Sequence, residues 1–162
     1  MAEFRGDLAR LLDEYDARRN AAAAREQSAR DDDARFLTQF AEIRRDVVRP
    51  VFEAAGVVLA ERGHAFSITE DEFSGGGSSK VTEAAISLHI VPAGRQAPLH
   101  DDHARSLSIT TRHYNKTVWI NAGHAPEAGG IAGAKGAYPL ARIDRELVQE
   151  ELLRFVAGIV AA

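Results

Sequence analysis

Strict alternation between apolar and polar side chains constrains this chain more than any other feature. Four segments show it: HAFSITE (64–70), KVTEAAISLHIV (80–91), RSLSITTRH (105–113) and KTVWIN (116–121). Successive side chains of a β-strand point to opposite faces, so alternation is typical of antiparallel strands with one face on a core and the other toward water. The short connection HYNK predicts a hairpin turn, with Asn115 able to adopt a positive φ. We therefore predict a four-stranded meander, with a fifth short strand over 137–141.

The first 62 residues show helical periodicity instead. Apolar side chains recur every three or four residues in two sets, which are Phe4, Leu8, Leu11 and Tyr15, then Phe36, Phe40, Ile43 and Val47. This spacing places each set along one face of a helix, and the stretch between them is mostly alanine and charge. Pro50 lacks an amide proton and clashes with the preceding turn, which predicts a kink or restart and a short helix over 51–61. Gly63 can adopt the left-handed conformation that ends a helix.

A further helix is predicted after the sheet. Asp144 can cap it, and Glu146 suits its positive end. Its apolar face contains Val148, Leu152, Phe155 and Ile159. We expect this helix and the one ending at residue 61 to cover the apolar face of the sheet. The predicted fold class is α+β: N-terminal helices (one long helix or a helical hairpin), an antiparallel meander of four to five strands, and a C-terminal helix packed on the sheet.

The N-terminal periodicity also predicts how the chain is divided. The apolar set from Phe4 to Tyr15 contains four large residues, and an isolated helix with so little to bury is marginal in water. The residues from Phe36 onward contain enough core-sized side chains to cover the sheet unaided. We therefore predict a helical extension over residues 1–35 that mediates self-association, in a homodimer or larger homo-oligomer, and an α+β domain over residues 36–162.

Composition excludes several classes of function. The chain has no cysteine, which excludes disulfides, thiolate metal sites and cysteine nucleophiles. Its net charge of −4 offers no excess of positive charge to attract nucleic acid. No apolar run approaches the roughly 20 residues of a membrane span, and the charged N-terminus lacks a signal-peptide core. Positive charge is nearly all arginine and alanine is abundant, as in proteins from GC-rich bacterial genomes. We expect a bacterial, cytoplasmic protein that contacts neither membrane nor nucleic acid.

The polar face of the predicted sheet carries a candidate partner-binding site. Hydroxyl side chains fill most of this face, as expected of any solvated sheet. Trp119 is different, because an exposed tryptophan is favoured where a partner docks. We predict a protein-binding site formed by Trp119, His89, Arg112 and Thr110. The alternative is that the N-terminal helix or a loop covers Trp119 and makes it part of the core.

Two loops carry candidate ligands. PLHDDHAR (98–105) contains His100, Asp101, Asp102 and His103, which are residue types that bind zinc or another divalent metal. The alternative is a polar loop whose aspartates cap backbone amides and whose histidines are solvated. GGIAGAKGAY (129–138) lacks the Gly-Lys-Ser/Thr spacing of a phosphate-binding loop. It can still form a mobile loop that closes over a ligand, with Lys135 as an anion contact.

Two functional hypotheses follow. The first is a non-enzymatic binding module, without a cofactor, that self-associates and holds a protein partner through its open sheet face or its helical extension. The second is a metal-dependent enzyme or small-ligand binder that uses the loop from His100 to His103. The first is preferred because the sequence contains no assembled catalytic constellation.

Overall fold

The computed structural model describes residues 1–75, 80–94, 105–123 and 134–161, with the side chains of 134–136 excepted. In chain order the elements are α1 (Ala2–Ile43), a π-helical turn (Arg44–Val48), α2 (Arg49–Glu61), β1 (Ala65–Asp71), β2 (Ala85–Val91), β3 (Ser106–Arg112), β4 (Thr117–Gly123), β5 (Ala134–Pro139), a 3₁₀ turn (Leu140–Arg142) and α3 (Arg145–Ala161). This arrangement confirms the predicted α+β class. The N-terminal region takes the form of one long helix rather than a hairpin.

The five strands form one antiparallel meander in the order β1-β2-β3-β4-β5. On one face Leu88 of β2 lies opposite Leu107 of β3, and on the other Ser87 lies opposite Ser108. Directly opposed residues share a face of the sheet, so the register keeps apolar side chains together on one side and hydroxyls on the other. The alternation in the sequence therefore predicted both faces correctly.

Two details of the sheet differ from the prediction. The fifth strand begins at Ala134 and ends at Pro139, earlier than the predicted 137–141, because Asn121 of β4 pairs with Ala134 beyond a bulge and Pro139 has no N–H for further pairing. In the β3–β4 turn the residue with positive φ is Lys116 (55°) rather than Asn115. The Asn115 carboxamide oxygen instead accepts a hydrogen bond from the Thr117 hydroxyl at 2.5 Å.

The break predicted at Pro50 takes the form of a widened turn. The helix continues through Pro50, which occupies the first turn of α2, where its missing N–H costs least. Directly before it, the N–H of Arg49 donates to the carbonyl of Arg44, five residues back. Such a π-turn adjusts the helix without ending it. Helix α2 does end as predicted, with Gly63 at φ 85°.

The core lies between the apolar face of the sheet and the helices. Its largest fully buried side chains come from the end of α1, from α2 and α3, and from the three central strands: Phe40, Phe52, Phe155, Ile86, Leu88, Leu107, Ile109 and Ile120. Each buried side chain of this size contributes roughly 1.5–3 kcal/mol to folding. This cluster is the main source of stability of the residues from 36 onward.

The chain divides into two compact units, residues 1–35 and 36–162. In the first unit no side chain is buried, although the whole segment from Ala2 is helical. The second unit contains the core, the sheet and helices α2 and α3. None of the helices within the described ranges combines the length and the apolar character needed to cross a membrane.

Candidate binding surfaces

Trp119 lies on the polar face of the sheet, where Arg112 covers its ring. Trp119 stands opposite Thr110 on β3 and Ala137 on β5. The guanidinium carbon of Arg112 lies 3.3 Å from the ring centre, and its Nη1 donates to the Tyr114 hydroxyl at 3.3 Å. Stacking of this kind contributes about 0.5–2 kcal/mol. The tryptophan is therefore half-buried by a neighbouring side chain rather than open as a bare aromatic surface.

The stacked pair presents a positive charge in a fixed position. A guanidinium held on an aromatic ring loses conformational freedom before a ligand arrives, and its planar donors match a carboxylate. The Nε1 of Trp119 is buried and has no hydrogen-bond partner among the described residues. Thr110, Arg112 and Trp119, which we call the Arg–Trp patch, thus suit an acidic group on a partner.

His89, the fourth residue predicted for this site, lies elsewhere on the same face. It stands opposite Ser67 and Ser106, and its Nε2 lies 2.9 Å from the Thr69 hydroxyl. On β2 the residue opposite Thr110, and therefore level with Trp119, is Ala85, which is four residues from His89. At about 3.4 Å per residue and 4.8 Å per strand, His89 is about 14 Å along the strand direction and two strands away from Trp119. The structure therefore separates His89 from the other three residues.

A carboxylate–histidine pair was missed by the sequence reasoning. Glu83 Oε1 lies 2.5 Å from Nδ1 of His113, and Glu83 Oε2 accepts a hydrogen bond from the Thr111 hydroxyl at 2.9 Å. The ring of His113 packs edge-on against Phe73 at 4.9 Å. A carboxylate on Nδ1 orients an imidazole as in general-base catalysis. The pair joins the segment just before β2 to the β3–β4 turn, and among the described residues no hydroxyl is hydrogen-bonded to Nε2.

A second missed feature is the buried guanidinium of Arg44 in the π-turn. Arg44 is 7% exposed and donates to the carbonyls of Asp71 (3.1 Å) and Ala85 (3.3 Å) and to the carboxylate of Glu72 (2.5 Å). It thereby joins the helices to the paired ends of β1 and β2. Buried charges require such partners because they lose their hydration. This arrangement is structural, since these hydrogen bonds tie the π-turn to the ends of two strands.

The neighbouring Arg49 shares an ion-pair partner with Arg44, because both contact the carboxylate of Glu70. Hydrogen bonds to Glu53 at 2.9 Å and to Glu70 at 3.2 Å raise the pKa of Arg49, with the bond to Glu53 as the larger cause. A raised pKa keeps the guanidinium charged at any physiological pH. These side chains are 31–58% exposed, so solvent screens the pairs and they add little to stability.

An apolar groove runs between α2 and α3 on the surface of the helical layer. It consists of two adjoining hollows of about 440 Å³ and about 200 Å³ that share Val58, Leu59 and Val156. Large apolar side chains border it in the open, with Leu153 68% and Val58 52% exposed. Exposed apolar surface of this kind marks interaction sites. We call this surface the helical groove; it runs from Val51 to Arg62 along α2 and its C-cap and from Gln149 to Val160 on α3, with His64, Ile90 and Pro92 at one end.

The third surface is a row of apolar side chains on the first turns of α1. We call it the N-terminal seam, and it consists of Phe4, Leu8, Leu11, Leu12 and Tyr15, which are 45–62% exposed. Their spacing places all five within an arc of about 100° on the helix. The polar side of the helix carries ion pairs one turn apart, such as Arg10–Asp7 at 3.5 Å.

The predicted metal ligands His100, Asp101, Asp102 and His103 lie outside the described residues. Within the described ranges no group of three or more histidine, aspartate or glutamate side chains is placed to hold a metal ion. The backbone of Lys135 belongs to β5 rather than to the predicted mobile loop, because Ala134 pairs with β4. The side chain of Lys135 is outside the described residues, so the metal and anion sites stay predictions.

Comparisons of the chain with protein-family models, with curated proteins and with solved structures found no match.

Proposed function

We propose that this protein is a non-enzymatic binding module of the bacterial cytoplasm that self-associates through residues 1–35 and holds a protein partner. The observation that carries the proposal is the N-terminal seam. It is an ordered helical stripe of large apolar side chains, yet no residue of the first 35 is buried. An isolated helix is marginal in water and its stability comes mainly from packing of its apolar face. A covering surface on another molecule supplies that packing.

The polar side of the helix cannot replace such a partner. Ion pairs such as Arg19–Asp16 at 3.5 Å and Arg30–Glu26 at 3.8 Å are exposed, and pairs of this type contribute only about 0.2–0.5 kcal/mol each. Burial of a single leucine of the seam is worth several times as much. The apolar stripe therefore dominates the energetics of the extension.

The Arg–Trp patch is the proposed site for the protein partner. Its guanidinium is stacked on an indole and can donate hydrogen bonds to a carboxylate, and aromatic and arginine side chains are enriched at the energetic centres of interfaces. The expected partner presents an acidic segment to this face of the sheet. A cytoplasmic setting is consistent with a chain that contains no cysteine.

Sedimentation equilibrium of the purified chain tests the self-association. The wild type should sediment above its monomer mass at micromolar concentration, and Leu8→Glu/Leu11→Glu should sediment as a monomer. Ala17→Glu/Ala24→Glu is the matched control, because it adds the same two charges to the opposite side of the helix and should leave the mass unchanged. A monomeric wild type at tens of micromolar would remove self-association from the proposal.

Affinity capture from cell extract tests the partner site. Proteins recovered with the wild type should be lost with Trp119→Ala and with Arg112→Glu. Asn121→Ala, an exposed change on the same strand and face, should retain them. Equal recovery with all three variants would contradict a role for the Arg–Trp patch.

A further inference from the structure

We propose that the N-terminal seam of one copy binds in the helical groove of a second copy. This inference rests on the proposed self-association and names the two surfaces that form the interface. Each surface is apolar and exposed among the described residues: the seam side chains are 45–62% exposed, and Leu153 and Val160 of the groove are 68% and 64% exposed. Binding one to the other removes both from water, which is the main driving force for association.

The two surfaces match in length. The seam runs from Phe4 to Tyr15, which is eleven residue steps along α1. The α2 wall of the groove runs from Val51 to Arg62 and the α3 wall from Gln149 to Val160, again eleven steps each. At 1.5 Å per residue each of these stretches is about 16–17 Å long. The whole seam therefore fits within the length of the groove.

The surfaces also match in shape. Small side chains, Ala54 and Ala55, lie on the α2 wall between the larger residues Val51 and Val58. Large side chains on an approaching helix can enter such gaps, as knobs enter holes between packed helices. A stripe about 100° wide is what a helix presents when it packs onto a layer of two others.

Charge favours the same pairing. At about 100° per residue, Glu3, Asp7 and Glu14 fall along one flank of the seam together with Arg10 and Arg18, and Arg10 pairs with Asp7 at 3.5 Å. Arg62 and His64 line one end of the groove, and they are the only titratable side chains among its described lining residues. The carboxylates of Glu3 and Glu14 near Arg62 would favour one orientation of the seam in the groove.

Pairing of two seams with each other is the main competing arrangement. After Tyr15 the same side of α1 changes to alanine and arginine, so a coiled coil would contain only about three turns of apolar contact. Short isolated helices are marginal in water, and pairing two seams would leave the groove uncovered. Binding of the seam in the groove buries both surfaces at once.

Cross-linking between single cysteines tests the inference directly, because the natural chain contains none. A Leu11→Cys chain is mixed and equilibrated with a size-tagged Leu153→Cys chain, then treated with a short bifunctional maleimide. Both residues lie near the middle of their surfaces, so they come together whichever way the helix runs. Ala17→Cys, on the opposite side of α1, and Asn121→Cys, on the polar face of the sheet, are the matched controls.

The expected result is a Leu11→Cys/Leu153→Cys heteroconjugate that forms at least about tenfold faster than the two control conjugates. The control conjugates are those of Ala17→Cys with Leu153→Cys and of Leu11→Cys with Asn121→Cys. Predominant conjugation of Leu11→Cys chains with each other would overturn the inference but keep self-association through the extension. A wild type that sediments as a monomer would overturn the self-association itself. Cross-linking only within a Leu11→Cys/Leu153→Cys double variant, in a monomer, would show instead that each seam covers its own groove.

A groove substitution provides an independent test in the wild-type extension. Leu153→Glu places a charge in the apolar groove at a side chain that is 68% exposed, so folding should be retained. We expect the dissociation constant of the dimer to rise by about tenfold or more, because the carboxylate loses hydration without gaining a partner. Asn121→Glu should leave it unchanged. An unaltered dimer in a folded Leu153→Glu variant would refute docking in the groove while preserving the proposed self-association.

Discussion

Removal of residues 1–30 should leave a cooperatively folded domain, whereas removal of residues 1–40 should not. The two fragments differ by ten residues that include Phe36 and Phe40, which are 4% and 0% exposed. All of the side chains removed in the shorter deletion are unburied. The comparison therefore separates the exposed part of α1 from the part that belongs to the core.

The expected magnitudes follow from burial. Losing the first 30 residues removes exposed ion pairs worth a few tenths of a kcal/mol each, so the free energy of unfolding should fall by less than about 1 kcal/mol. The fragment would begin with Asp31, Asp32 and Asp33, whose charges suit a helix N-terminus. Losing Phe36 and Phe40 costs about 3–5 kcal/mol each, and the sum of about 6–10 kcal/mol is comparable to the whole stability of a small domain.

Urea denaturation followed by circular dichroism, together with sedimentation, measures both effects. The fragment 31–162 should unfold in one transition whose midpoint is independent of protein concentration, and it should sediment as a monomer. The stability of the full-length oligomer depends on concentration, so it must be compared over a dilution series. The fragment 41–162 should show no cooperative transition.

Two results would refute this reasoning. If the fragment 31–162 lost more than about 2 kcal/mol relative to the monomeric full-length chain, the first 30 residues would contribute to the core. If the fragment 41–162 unfolded with the same midpoint as 31–162, the two phenylalanines would not be core residues.

Three further predictions concern single sites. Arg44→Met should lower the free energy of unfolding by about 2–4 kcal/mol in urea denaturation, because two strand carbonyls lose their donor; Arg45→Met, an exposed neighbour, should change it little. Thr111→Val should lower it by about 1–3 kcal/mol by removing the hydroxyl that donates to Glu83, with near-equal side-chain volume. Elemental analysis of untagged protein should find no stoichiometric divalent metal; metal that is present and lost in His100→Ala/His103→Ala would favour the enzyme hypothesis instead.

The sequence predicted the fold class and the two faces of the sheet because both depend on local periodicity. Alternation with a period of two assigns each side chain of a strand to a face before its neighbouring strand is known. The helical spacing around Phe40 and Phe155 likewise identified residues that proved to be core. For the same reason Thr110, Arg112 and Trp119 were correctly placed on one face and lie together.

Other features depend on how distant segments meet. The register of β2 against β3 and β4 decides that His89 lies far from Trp119, although both share a face. A contact between Glu83 and His113 joins residues 30 positions apart, and no periodic pattern marks it in advance. The position of the left-handed residue at Lys116 was also decided by the pairing of its strands.

The burial of Arg44 shows most clearly the difference between what local periodicity predicts and what contacts between distant segments decide. By its residue type and its place among other charges it resembles any solvent-facing arginine of α1. It is buried because the π-turn directs it toward the ends of β1 and β2, where two carbonyls and a carboxylate replace its hydration shell. Periodicity along the chain determines which faces are apolar, whereas the meeting of helix and sheet determines which charged group can be buried between them.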